Sequence, residues 1–255
     1  VGGAVGEQAG WRNALAAAAA VGGLAALAAW LPAGSEPRKV EAAKPAQKGF
    51  VSGYAPVFRN PKAVWVYACV AAEGMLFFGF FPYIGMLLKA QADGGAAATQ
   101  AGLGLGAFGA GGLLYAASVR QLVARLGVPR MCGLGALGGA LGCGALALAP
   151  SWWQAAAMLV LAGYGFYMLH NSLQVQATEL APSARGSAVA LLAFCFFAGQ
   201  GLGPPVFGWL AHQLGLAASL LVLALGMAVL GQVAIHRVCR NLESPAPSSH
   251  RRSNP

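Results

Sequence analysis

Few side chains in this sequence can carry chemistry, and the first of them is Glu73. It lies about eleven residues into an apolar stretch, which at about 1.5 Å per helical residue puts it on the order of 15 Å from that stretch's start. A charge at such a depth in a bilayer costs about 2.5–3.5 kcal/mol on insertion scales. Pairing, protonation or contact with a wet cavity offsets that cost. No lysine or arginine occupies the middle of any apolar stretch, so we expect no intrachain ion pair. Two readings stay open. Glu73 is either a carboxyl that exchanges a proton or holds a cation at a central cavity, or a protonated acid bonded to a neighbouring helix.

A second group, His170, Asn171, Gln174 and Gln176, falls at the end of another apolar stretch. His170 and Gln174 are four apart and share a helical face, whereas Asn171 is turned about 100° from His170. They can bind substrate or line its exit path. They can equally make interhelical hydrogen bonds, which average about 0.6 kcal/mol in membranes. Glu179 and Arg185 bracket a proline-containing turn, either as a latch or as an exposed pair contributing about 0–1 kcal/mol. Tyr83, Tyr115, Tyr164 and Tyr167 with Phe77, Phe78, Phe80 and Phe81 can wall a cavity or simply pack. The five cysteines form no CxxC pair and no metal-ligand spacing; we read four as small buried thiols and Cys239 as part of a basic tail. Neither HExxH nor GxSxG occurs, and no stretch holds paired carboxylates, so an enzyme has no visible machinery. The run Gly102-Leu103-Gly104-Leu105-Gly106-Ala107 follows no strand and is no dinucleotide loop. We expect no cofactor and no metal.

The elements that must position these groups are membrane helices. Of 255 residues, 58% are apolar and 9% charged, against about a quarter charged in a soluble domain. A crossing needs about 20 apolar residues, and seven stretches qualify: Trp11–Leu31, Ala63–Leu88, Thr99–Val119, Met131–Ala149, Trp152–Val175, Ser187–Leu210 and Ala217–Ile235. Residues 32–62 between the first two read as a flexible basic connector. Placing the start of the first span outside puts fourteen of the sixteen lysines and arginines in cytoplasmic segments, leaving Arg12 and Lys89 outside. Trp11, Trp30, Trp152, Trp153 and Trp209 fall near span ends, where amphipathic rings favour the headgroup zone. The net charge of +9 lies between apolar spans and not on one amphipathic face, which argues against nucleic acid. Gly102/Gly106, Gly135/Gly139 and Gly199/Gly203 form three GxxxG pairs suited to close packing within a bundle. Pro204 and Pro205 each remove a backbone donor and predict a kink.

This layout resembles spans six to twelve of a twelve-span carrier of the major facilitator superfamily. Gly10-Trp11-Arg12 is similar to the turn before the sixth span in the drug–proton antiporter branch, and Val1-Gly2-Gly3 to the tail of its fifth span. Arg125-Leu126-Gly127-Val128-Pro129-Arg130 resembles the family's basic cytoplasmic loop, without its usual acidic residue. Ala177-Thr178-Glu179-Leu180-Ala181-Pro182-Ser183-Ala184-Arg185-Gly186 resembles the entry to the eleventh span of small bacterial efflux carriers. Gly199-Gln200-Gly201-Leu202-Gly203-Pro204-Pro205 resembles the Gly/Pro kink segment that follows.

The resemblance implies an all-α membrane bundle, divided as 1–31 (last helix of the first half), 32–62 (connector), 63–236 (six-helix bundle) and 237–255 (disordered basic tail). It implies a secondary transporter in the inner membrane, with connector and tail cytoplasmic, exporting small organic or drug-like molecules against protons or another coupling ion. Glu73, His170, Asn171, Gln174 and Gln200 would then bind substrate or proton. Arg125, Gly127, Arg130, Glu179 and Arg185 would serve gating, and Gly203, Pro204 and Pro205 the kink. The expected partners are a small-molecule substrate, the lipid bilayer and the missing N-terminal half of the same carrier. The contrary expectation is a non-transporting truncated membrane protein, or less readily a polytopic enzyme.

Overall fold

The structure is a computed structural model that describes residues 6, 9–30, 53–89, 97–149 and 151–239. Most of the connector, the tail beyond Cys239 and Val1-Gly2-Gly3 lie outside these residues. The described elements are helical throughout. They are α1 (Trp11–Trp30), α2 (Ala55–Phe58), α3 (Ala63–Phe78), α4 (Ile84–Lys89), α5 (Ala97–Leu146), α6 (Trp152–Leu180), α7 (Arg185–Leu214) and α8 (Leu216–Val233), with a π-helical turn at Ala234–Cys239. Five described stretches are long and apolar enough to cross a membrane: Trp11–Trp30, Ala63–Leu88, Thr99–Leu146, Pro182–Leu214 and Leu216–Cys239. The chain is a multi-pass membrane protein.

Three of the seven expected spans are reached differently. Thr99–Leu146 is 48 residues long, about 72 Å if straight and more than twice a hydrocarbon core. It breaks at Gly127, whose φ of 69° and ψ of 167° are not helical. The two arms run antiparallel to each other beside α6: contacts climb α6 along the first arm, from Gly104 with Leu159 to Gly112 with Tyr167, and descend it along the second, from Gly135 with Leu169 to Gly142 with Ala162. Trp152–Leu180 is not among the five stretches, since its second half carries His170, Asn171, Gln174, Gln176 and Glu179. It is nevertheless packed in the middle of the bundle, with Ala155, Leu159, Leu169, Leu173 and Ala177 buried. Polar residues are tolerated on a membrane helix that other helices surround.

Glycine sets how closely the helices approach. A Cβ on Gly74 or Gly199 would strike the backbone of Phe196 or Ala71 respectively, and one on Gly203 would strike Met75 and Gly79. The backbones of α3 and α7 therefore touch along a seam. Tyr67 at one end of the seam donates to Ala188 O (3.1 Å), and Tyr83 at the other donates to Pro204 O (3.2 Å). Of the three GxxxG pairs, Gly135/Gly139 and Gly199/Gly203 pack inside the bundle, but Gly106 faces open space. α7 stays helical through Pro204 and Pro205, so these prolines do not interrupt it. α1 has no buried residue.

Contacts between helix ends define one basic end of the bundle. Arg237 lies 4.7 Å over the Trp65 ring, Cys132 and Cys239 Sγ atoms are 3.0 Å apart, and Asn60 donates to Leu180 O. Lys62, Arg120, Arg125, Arg130, Arg185 and Arg237 all belong to this end by the order of crossings. Phe80, Ile84, Leu146, Phe207, Leu216 and Leu220 meet at the opposite end. Cys239 is a correction to the sequence expectation: it is buried in the π-helical turn and not part of a tail, because α8 continues past Ile235.

Candidate functional site

Glu73 is fully buried, and its Oε2 lies 2.9 Å from Nδ1 of His170. An ionisable partner from another helix, which the search for lysine and arginine did not find, therefore faces Glu73, and the contact is of the kind expected of an acid bonded to a neighbouring helix. The sequence reading considered only lysine and arginine, and it placed the end of the fifth stretch at Val175. α6 in fact runs to Leu180, where Pro182 begins a 3₁₀ turn. His170 is therefore about 15 Å from the helix end, level with Glu73 on α3. The signal that would have found it is the uninterrupted helical sequence up to Pro182, since proline commonly follows a helix C-terminus.

The pair is closed on one side and open on the other. Glu73 has no exposed surface, whereas His170 keeps 21% of its side-chain surface. Glu73 Oε1 is buried with no hydrogen-bond partner. An ionised carboxylate seeks donors on both oxygens and here has one, so Oε1 is a place for a proton to sit. The pair is net neutral either as glutamate with imidazolium or as glutamic acid with imidazole. A proton can move between these forms without placing net charge in the bilayer.

Aromatic rings wall the imidazole. Phe166, one turn back on α6, stacks on it at 5.3 Å and 25° between planes, and Phe196 of α7 meets it edge-on at 4.9 Å. Phe166 in turn contacts Phe77, Phe78 and Phe108 at 5.2–5.6 Å. Rings from α3, α5, α6 and α7 thus converge beside the pair and exclude water from its inner face. Phe108, Phe166 and Phe196 were not singled out from sequence. Gln200 lies one turn beyond Phe196, its backbone against Gly74.

The other expected residues do not join this site. Asn171 and Gln174 line a separate cleft of about 370 Å³ with Tyr115, Val119, Met131, Ser172 and Thr178, between α6 and the two arms of α5. Asn171 lies against Tyr115 there, and Ser118 hydrogen-bonds Tyr164 (2.8 Å) nearby. The helical face shared by His170 and Gln174 therefore does not unite them, because α3 covers one part of it and α5 the next. Gln176 is buried. Arg125, Gly127 and Arg130 sit together at the joint of α5. Glu179 and Arg185 are both exposed, and no ion pair joins them among the described residues, so the latch is not formed. Among the described residues no group of His, Cys, Asp or Glu can hold a metal ion.

Residues 86–254 match the family profile described as Major Facilitator Superfamily. No curated protein matches the chain. Among solved structures, the chain is similar to the crystal structure of a bacterial homolog of the human lysosomal transporter Spinster, in its inward-facing, unoccupied conformation. The TM-score is 0.55 at 20% identity, over 93% of this chain and 61% of that one. At that identity the likeness concerns the fold, and the chain spans 61% of the length of that protein.

Proposed function

The chain belongs to the Major Facilitator Superfamily, and on that premise we propose that the whole protein is a secondary active transporter working by alternating access. The reading supported best is proton-coupled export of small organic or drug-like molecules across the inner membrane, with the basic end facing the cytoplasm. The Glu73–His170 pair carries the coupled proton. One observation bears this reading: a carboxyl without surface of its own, 2.9 Å from an imidazole on another helix that keeps an opening to the outside. A proton reaches Glu73 through His170: transfer within the pair leaves its net charge unchanged, while uptake or release of the coupled proton changes that charge by one. The Lys/Arg asymmetry supports the orientation. Energy from an ion gradient accords with the lack of any GxxxxGK[ST] loop in the sequence.

The test is ethidium efflux from proteoliposomes holding the whole carrier under an imposed pH gradient. Glu73→Gln is expected to insert in normal amount and to export poorly at every pH. Wild-type coupling in Glu73→Gln would refute the role of the pair.

A further inference from the structure

A groove of about 380 Å³ lies between the second arm of α5 and α8, well away from the Glu73–His170 pair. Leu134, Leu137, Ala228 and Ile235 line it, Gly133 and Gly231 form part of its floor, and Arg130 and Gln232 are its polar residues. The glycines let the two helices close beneath it: a Cβ at Gly231 would meet Ala136 Cβ at 2.5 Å, and one at Gly133 would meet Ile235 Cδ1 at 2.7 Å. The surrounding face is that of a lipid-exposed helix pair, since Leu134, Leu137, Leu141, Leu225 and Val229 are all exposed.

The charge of the groove is one-sided. Arg130 stands at the basic end of the bundle and is exposed, and the apolar lining runs about 10 Å, two helical turns, from it towards the membrane centre. No carboxylate among the described residues pairs with Arg130. Only two carboxylates fall among those residues: Glu73 is committed to His170, and Glu179 is on α6, which does not line the groove. Arg120, Arg125 and Arg237 add positive charge at the same end. An arginine fork suits a phosphate oxygen pair, and basic pockets between membrane helices take anionic headgroups.

We propose that this groove binds one anionic phospholipid, its phosphate on Arg130 and an acyl chain along Leu134, Leu137, Ala228 and Ile235. Charge complementarity names the occupant. A zwitterionic lipid brings an ammonium into a field that is already positive, and a free phosphate leaves the apolar length uncovered.

Native mass spectrometry of the whole carrier in detergent micelles tests it, with phosphatidylglycerol and phosphatidylcholine titrated separately. Wild type is expected to retain phosphatidylglycerol at least tenfold better than phosphatidylcholine. Arg130→Gln abolishes that preference, and Arg120→Gln, outside the groove, keeps it. Ala228→Phe keeps the charge but fills the groove, and loses the bound lipid. Equal retention of the two lipids, an unchanged preference in Arg130→Gln, or displacement of the lipid by inorganic phosphate would each overturn the proposal. A normal thermal unfolding curve for each variant separates loss of binding from loss of fold.

Discussion

Removing His170 should harm the protein more than removing Glu73, and removing both should harm it less than removing His170 alone. His170→Leu leaves a fully buried carboxyl with neither oxygen bonded, since Oε1 has no partner even now. Glu73→Leu leaves an imidazole that is partly exposed, not one fully buried without a partner. Hydrogen bonds to charged groups are worth about 1.5–3 kcal/mol, whereas neutral interhelical bonds in membranes average about 0.6 kcal/mol. The 2.9 Å contact, shielded by Phe166 and Phe196, belongs with the first class. We expect a coupling of at least about 1 kcal/mol in a double-mutant cycle. Equilibrium unfolding of the four proteins in mixed micelles of increasing SDS content measures it. Coupling at or below about 0.5 kcal/mol, or Glu73→Leu as damaging as His170→Leu, would refute the argument that the pair shares a proton.

Gly127→Ala should destabilise by about 1–3 kcal/mol, because φ 69° with ψ 167° lies in a region essentially reserved for glycine. Gly106→Ala, which meets open space, should stay within about 0.5 kcal/mol, and thermal unfolding in detergent compares the two. Mild oxidation with diamide should join Cys132 to Cys239 and leave Cys143 and Cys195 as thiols, read by non-reducing peptide mapping. A protein in which Cys239 stays alkylatable after that treatment would contradict the placement of the π-helical turn.

Much of the architecture is written in charge and length. Apolar stretches of about 20 residues separated by arginines give the crossings directly, because a bilayer enforces both the length and the internal hydrogen bonding of each. Gly127 and Pro129 mark the reversal within α5, where no helix could continue across a single membrane. What was hidden is lateral. Glu73 read alone as an expensive residue, but its partner lies 97 positions away, and nothing in the period of α6 says which neighbour covers which part of a face. Asn171 and Gln174 illustrate this, adjacent to His170 in sequence yet turned into a different cleft by the α5 hairpin. Gly199 and Gly203 announced close packing, but the identity of α3 as the partner came only from the structure.

The distance in sequence between the members of the Glu73–His170 pair also imposes a schedule. Glu73 is made 97 residues before His170, an interval on the order of 5–20 s at typical synthesis rates. The α7 half of the glycine seam comes later still, since Tyr67 and Tyr83 each bond a carbonyl 121 positions downstream. Throughout that interval α3 holds its carboxyl without His170. The newborn protein should therefore be most exposed to quality-control proteases while α5 and α6 are being inserted, and changes that shorten the apolar run of α3 should lower the amount of protein made well before they alter the finished fold.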